Sequence, residues 1–353
     1  MGMGNGIPQV GNEVDSDVEA PKVKVIQGAN DGTFSFSGVK VATVQYLLVD
    51  VFNIRDDALP FINGELVDAN YALQGGDTLE FIVQDGQKGR YPGGKAKLSK
   101  QIVPQLVQHI GVGTQYREPF FGWGAIGLEL IRTKQVKSIW INDKHPGVAA
   151  YWTSVIRYPK QLKQLVVNFE PSRETFYKLK EKMLSQLTQN VPQAEPDIVR
   201  LGFEKLVLHR LSYSGLGEMA GGPLSDICSR WNPKNLYKKI GADHLAFSGV
   251  NIHGDCCTCL DFEQMFCGDN CLLYLDPPYF HQGPKCYPIA FTPKDHERLA
   301  GQLQQLRNPW LLSYDDCPEI RSLYGKWANI VKVPVNCSIS KANLKNELLI
   351  CPK

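Results

Sequence analysis

Leu273-Tyr274-Leu275 is an apolar run that stops at Asp276-Pro277-Pro278-Tyr279, with Phe280 following. Open α/β sheets bind their ligands outside the carboxyl ends of their strands, so a strand ending in an acid delivers that acid to a site. Proline fixes φ and lacks an N–H. The Pro277 carbonyl, backed by Pro278, can therefore be held rigidly beside the Asp276 carboxylate as a second acceptor. Two acceptors aimed at one point suit an exocyclic amine. Drawing both of its hydrogens aside localises the nitrogen lone pair and makes the nitrogen nucleophilic. Tyr279 offers a ring on which a base extruded from a duplex can stack. The tetrapeptide alone also suits a plain strand ending in a Pro-Pro turn, so the reading depends on the segments that accompany it.

Tyr116-Arg117-Glu118-Pro119-Phe120-Phe121-Gly122-Trp123-Gly124-Ala125 reads as a strand, a glycine turn and the start of a helix. That arrangement lets backbone approach a nucleoside cofactor closely. One helix later, residues 138–141 read as a strand ending at Asn142-Asp143, where a carboxylate can accept from ribose hydroxyls. Upstream, Tyr91-Pro92-Gly93-Gly94-Lys95 combines a tight turn with a cation suited to a carboxylate.

These segments, together with Gly254-Asp255, resemble in order and spacing the bacterial and phage DNA adenine-N6 methyltransferases, the class that includes the adenine methylase of GATC sites. The similarity extends over residues 89–353, where Asn346-Glu347-Leu348-Leu349 resembles the family's closing strand. The resemblance implies a Rossmann-like, S-adenosylmethionine-dependent fold and direct methyl transfer to the N6 amine of an adenine flipped out of double-stranded DNA. It assigns catalysis to Asp276, Pro277, Pro278 and Tyr279. Tyr91, Lys95, Asp143 and Asp276 would contact S-adenosylmethionine, Phe120, Gly122 and Gly124 would shape its pocket, and Asp255 would hold its adenine. Trp123 departs from the family's small residue between the glycines and is expected to narrow the cofactor site. Arg210-Leu211-Ser212-Tyr213-Ser214-Gly215 matches the family's DNA-contacting segment only loosely, which leaves the target sequence open. The other readings are an adenine in RNA, a cytosine N4 in DNA, or a DNA-binding adaptor without catalysis. The intact acid, prolines and tyrosine argue against the last.

The ten cysteines all lie between Cys228 and Cys351, and their irregular spacing is unlike a disulfide framework. Cys256-Cys257-Thr258-Cys259, with Cys267 and Cys271, contains a C-x2-C pair that invites a zinc reading. Packing is the simpler role, because Cys256 adjoins Asp255 and Cys271 opens the strand leading to Asp276; no metal is expected. Of the seven histidines, His281 alone is expected near the site.

The elements that must position these residues follow from the patterning. After about residue 88, helix-like and strand-like segments alternate, as in a sheet with crossover helices: helix 97–110, strand 115–119, helix 125–132, strand 138–141 and a buried strand 271–275. Residues 150–245 mix Arg, Lys, Tyr and Trp with proline breaks and form a candidate target-recognition region inserted into the methyltransferase domain, 88–353. Residues 1–21 read as a flexible leader. Residues 22–86 read as two strands joined through 28–32, a helix over 41–52 with Val44, Leu47, Leu48 and Val51 at helical spacing, and strands 58–62 and 78–83. With Phe61-Ile62-Asn63-Gly64 and Leu73-Gln74-Gly75-Gly76-Asp77, this stretch resembles ubiquitin-like β-grasp domains of the sulfur-carrier type. Those carriers end in a free Gly-Gly, whereas here the chain continues through Gln87-Lys88-Gly89, so a structural role or docking of an unidentified protein partner is expected.

The 353 residues are 43% hydrophobic and 21% charged, which excludes wholesale disorder. No apolar run reaches the ~20 residues of a membrane span, and no secretory signal opens the chain, so the cytoplasm is the expected location. A net charge of +2 hides an asymmetry: residues 1–86 hold 4 Lys/Arg against 13 Asp/Glu, net −9, and the remainder 34 against 23, net +11. A basic main body suits a polyanionic partner.

Overall fold

The computed structural model describes residues 21–27, 30–49, 51–52, 54, 58–83, 95, 98–111, 113–336 and 344–353. Residues 1–20 of the expected leader, Gly28-Ala29, Gln87-Lys88-Gly89 and Tyr91 to Gly94 lie outside them. The chain divides into two units, Met1–Gln84 and Asp85–Lys353.

In the first unit, β1 (Val23–Gln27), β2 (Asn30–Phe34), α1 (Val41–Leu48), β3 (Ala58–Ile62), β4 (Glu65–Leu66) and β5 (Thr78–Val83) build a five-stranded sheet in the order β2-β1-β5-β3-β4. β1 and β5 pair in parallel at its centre and the other pairs are antiparallel. Strand alternation sends Val23, Val25, Leu79 and Phe81 to the core beneath Val41, Val44 and Leu48 of α1. Two expectations are corrected here. Asn30, Asp31 and Gly32 belong to β2 rather than to a turn. Leu47 and Val51 are exposed, because the helix ends at Leu48 and Val41 sets the axis of its buried stripe.

The second unit opens with α2 (Ser99–Val107), β6 (Gln115–Glu118), α3 (Ala125–Arg132) and β7 (Ser138–Ile141). Five helices follow: α4 (Pro146–Arg157), α5 (Pro159–Val167), α6 (Arg173–Gln186), α7 (Glu195–Leu211) and α8 (Pro233–Ser248). The sheet resumes with β8 (Asn251–Ile252) and β9 (Cys271–Leu275), then α9 (Gly283–Cys286), α10 (Pro293–Gln305), β10 (Trp310–Asp315), α11 (Pro318–Tyr324), β11 (Ala328–Asn336) and β12 (Leu344–Pro352). Seven strands lie in the order β11-β12-β10-β9-β6-β7-β8; the pairs from β10 to β8 are parallel, and β12 is antiparallel to both neighbours. β9 is apolar throughout because both of its faces are covered. Leu272 and Tyr274 enter one core cluster, while Cys271, Leu273 and Leu275 enter the other. Among the described residues no helix is long and apolar enough to cross a membrane.

The region 150–245 is joined to the core rather than appended to it. α4 is buried from Pro146 to Val155, and α7 buries its length from Ile198 to Leu211 apart from Arg200. The two helices touch at Gly202, where an added Cβ would sit 2.6 Å from the backbone N and Cα of Tyr151. Alanine normally stabilises a helix interior over glycine by about 1 kcal/mol. Gly202→Ala is instead expected to destabilise by about 1–3 kcal/mol, since the helices must part. Gly301→Ala in α10, with nothing within 4 Å of its Cβ, is expected to stabilise by about 0.5–1 kcal/mol. Urea melts of both variants test the pair, and a stabilised Gly202→Ala would refute the close crossing.

Candidate active site

Strand order reverses at β6. The chain leaves β6 through α3 to β7 on one side, whereas β9 on the other side follows β8. Ligands of open sheets bind at this reversal. At the end of β6, Tyr116 donates its hydroxyl to Glu118 (2.7 Å), and burial raises Glu118 well above the usual carboxylate range. The turn beyond it needs glycine: Gly122 (φ 51°) and Gly124 (φ 72°) are left-handed, and a Cβ on Gly124 would lie 2.9 Å from the Phe121 ring and 3.1 Å from Trp152.

β7 ends beside that turn at Asn142, which is fully buried and fully used. Its Nδ2 donates to the Pro119 and Leu260 carbonyls, and its Oδ1 accepts from the Thr258 hydroxyl and the Leu260 N–H. Asn142 thus binds the ends of β6 and β7 to residues 258–260. Asp143 comes next. One carboxylate oxygen accepts from Gly122 N–H (2.8 Å) and the other from His145 N–H (2.9 Å), and burial raises its pKa.

Asp276 emerges from β9 into a buried ionic cluster. Lys95, only 3% exposed, contacts Asp276 Oδ1 at 2.6 Å, the Tyr279 hydroxyl at 2.8 Å and Glu347 Oε1 at 3.1 Å. The Tyr279 hydroxyl donates to Glu347. Burial works against the Lys95 charge, but Asp276, Tyr279 and Glu347 hold its pKa well above the ordinary value. Burial pushes Asp276 up to about 6, with Lys95 opposing the rise and Glu347 adding to it. Ser313 also donates to Asp276 Oδ1 (3.3 Å). Among the described residues, Asp276 Oδ2 and the Pro277 carbonyl accept no hydrogen bond. Both acceptors are therefore open to a donor.

Several expected residues sit differently from their sequence reading. Lys95 is not open to a ligand carboxylate, because all three ammonium protons are spent on the cluster. Trp123 does not narrow the glycine turn: it stacks on His209 of α7 (4.1 Å between centroids) and packs on Tyr151. Phe120 packs with Phe262 and Phe291. Asp255 is exposed and left-handed after β8, and no hydrogen bond or ion pair joins it to the other candidates among the described residues. His281 pairs with Glu319. Cys257 is buried, with its N–H bonded to Thr153, and Cys259 donates to the Lys144 carbonyl. Glu347, Ser313 and Asn142 carry much of the geometry, and Tyr287 feels the charges of Asp276, Lys95 and Asp143. Sequence reasoning assigned no role to any of these four. Asn142, next to an acid at a strand end, and Glu347, within the segment that resembles the closing strand, did carry a local signal.

No curated protein matches the chain. Residues 91–339 match the family described as D12 class N6 adenine-specific DNA methyltransferase. That span covers the glycine turn, the Asp143 corner, the helical insertion and Asp276-Pro277-Pro278-Tyr279. The chain belongs to the D12 class of N6 adenine-specific DNA methyltransferases.

Proposed function

We propose that this chain methylates adenine N6 in double-stranded DNA with S-adenosylmethionine as donor, and that Asp276 and the Pro277 carbonyl receive the target amine. The observation that carries this reading is the one-sided use of Asp276: Lys95 and Ser313 both occupy Oδ1, leaving Oδ2 without a hydrogen bond among the described residues. The surroundings fit the donor. Lys95 balanced against Asp276 and Glu347 leaves one net negative charge, which complements a sulfonium. Gly122, Gly124 and Asp143 form the backbone-and-acid corner suited to its nucleoside, with Phe120 at the pocket wall. Tyr91 and Asp255 complete the assignment the family resemblance implies.

S-adenosylmethionine supplies an electrophilic methyl group. Asp276 and Pro277 orient the amine and localise its lone pair, and Pro278 stiffens the turn. As the nitrogen gains its methyl it becomes acidic, and Asp276, ionised above pH 6, holds the proton it sheds. Tyr279 stacks on the flipped base. Its hydroxyl, fixed by Lys95 and Glu347, sets the angle of the ring. Lys95 acts through Asp276. Residues 150–245 supply target recognition around the exposed Tyr213. Residues 22–86 form a ubiquitin-like β-grasp domain, a reading supported by the order β2-β1-β5-β3-β4 with a parallel central pair. That domain serves as an accessory to catalysis or docks a protein partner.

Incubation with labelled S-adenosylmethionine and separate DNA and RNA pools should yield N6-methyladenine from DNA. Asp276→Ala should cost ~10²–10³-fold in single-turnover rate; a wild-type rate in that variant would remove Asp276 from the mechanism. Tyr279→Ala should come next and Tyr279→Phe last. The phenylalanine variant is still expected to lose about tenfold, because it leaves Lys95 and Glu347 each short of a partner.

The pH dependence has a definite sign. Protonating Asp276 removes the acceptor, so the rate should fall as pH drops through about 6. Lys95→Met removes the group that lowers this pKa and should move the acid limb up by about one unit or more. It should also destabilise by about 3 kcal/mol by stranding two buried acids. An acid limb that stays in place in Lys95→Met would show that Lys95 does not tune Asp276.

A further inference from the structure

Three side chains outside the methyl-transfer cluster bring metal-ligating atoms to one point. His281 follows Tyr279 by two residues, and Cys317 and Glu319 follow the end of β10. β9 and β10 are parallel neighbours, so the two segments leave the sheet side by side. One ring nitrogen of His281, the Cys317 sulfur and one Glu319 oxygen all lie within 4.8 Å of one another, with His281 Nε2 already 3.1 Å from Glu319 Oε2. Cys317 is buried, whereas the His281 and Glu319 side chains are 54% and 41% exposed, so solvent reaches the cluster from one side. It shares no residue with the run from Cys256 to Cys271.

The charge balance here lacks a cation. Asp315 Oδ1 is buried and accepts no hydrogen bond among the described residues, and the Asp315 charge reaches both His281 and Cys317. The neighbouring cations are engaged elsewhere: Arg321 is bidentate on Asp316, and Lys332 pairs with the same acid. Among the described residues neither Asp315 nor Glu319 pairs with a lysine or arginine. Burial pushes the Cys317 thiol up to about 11, and the charges of Asp315 and Glu319 add to the rise. Two acids without a cation thus surround a thiol and an imidazole.

The donor set selects the metal. Magnesium and calcium take oxygen ligands, whereas a thiolate with an imidazole favours zinc. Tetrahedral zinc keeps its ligand atoms roughly 3.3–3.8 Å apart, so side-chain movements of about 1 Å close this set. Three protein ligands leave the fourth position to water. Asp315 supplies the nearby carboxylate that a metal-bound histidine commonly engages through its second nitrogen.

We propose that His281, Cys317 and Glu319 form a zinc site that fastens the segment leaving Tyr279 to the residues that follow β10. The thiolate and the Glu319 carboxylate together neutralise the ion. Its binding displaces the thiol proton to solvent, so affinity falls as pH falls. No step of methyl transfer runs through this metal.

The test adds Co2+ and then Zn2+ to the full chain after treatment with a chelator. One equivalent of Co2+ should give tetrahedral visible absorption and a thiolate-to-cobalt charge-transfer band, and one equivalent of Zn2+ should displace both. Cys317→Ser, close to isosteric, should abolish the charge-transfer band. His281→Ala, at an exposed position, should weaken Zn2+ by at least the ~10–100-fold typical of losing a supporting residue. Cys259→Ser, which breaks the C-x2-C pair, should change neither. A wild-type chain that binds no cobalt through sulfur, or a charge-transfer band that survives Cys317→Ser, overturns the proposal. If Cys317→Ser fails to fold, His281→Ala decides the matter, and wild-type affinity for Zn2+ in that variant overturns the site.

Discussion

The site is organised around one buried ammonium. Lys95 is the meeting point of Asp276 from the end of β9, Glu347 from β12 and the Tyr279 hydroxyl. Without that cation two carboxylates would face each other in a desolvated pocket, where one of them would have to take up a proton. With it, Asp276 is half protonated only near pH 6 and keeps one oxygen free. The remaining architecture can be understood as what is needed to bring these groups to one point.

That requirement gives the antiparallel strand β12 a functional meaning. A sheet of parallel strands alone would present every strand's carboxyl end to the site. β12 runs the other way, and its register with β10 sets Glu347 opposite Asp315 and Leu349 opposite Ser313. An acid from the middle of a strand thereby reaches the rim where β9 and β10 end. Ser313 spans the same gap from β10, accepting from the Tyr274 hydroxyl while it donates to Asp276. Three neighbouring strands and one residue from before α2 therefore share the task of fixing a single carboxylate.

Much of this frame was legible in the sequence because its signals are local. Cys271–Leu275, Ser138–Ile141 and Ala125–Arg132 were bounded correctly, since an apolar run ending in an acid, a glycine or a turn is decided within a few residues. Roles decided by distant partners were not legible. Lys95 reads as a cation awaiting a ligand until Glu347, more than 250 positions away, is placed beside it. Trp123 reads as an obstruction in a glycine turn until His209 comes up against its face. The buried face of α1 was misjudged for a related reason: periodicity shows that a stripe exists, but the sheet beneath it selects Val41 over Leu47.

The acids at the strand ends also bear on the stability of the fold. Burial raises the pKa of Glu118, Asp143 and Asp276 alike, so each group binds its proton more tightly in the folded chain than in the unfolded one. For such a group the contribution to stability is complete below its ordinary pKa of about 4 and is lost as pH rises through the folded value, which for Asp276 is about 6. At neutral pH the ionisation of these three acids therefore weighs against the fold, while the Lys95 charge, held by its partners, works for it. The compensating burial is found in α4 and α7, which lie in the same core cluster as Tyr116 and Ile141 of the site-bearing strands and close on each other at Gly202. Packing the helices of residues 150–245 against these strands offsets the desolvation of these acids, and it places Glu218 within one buried side chain of Asp143.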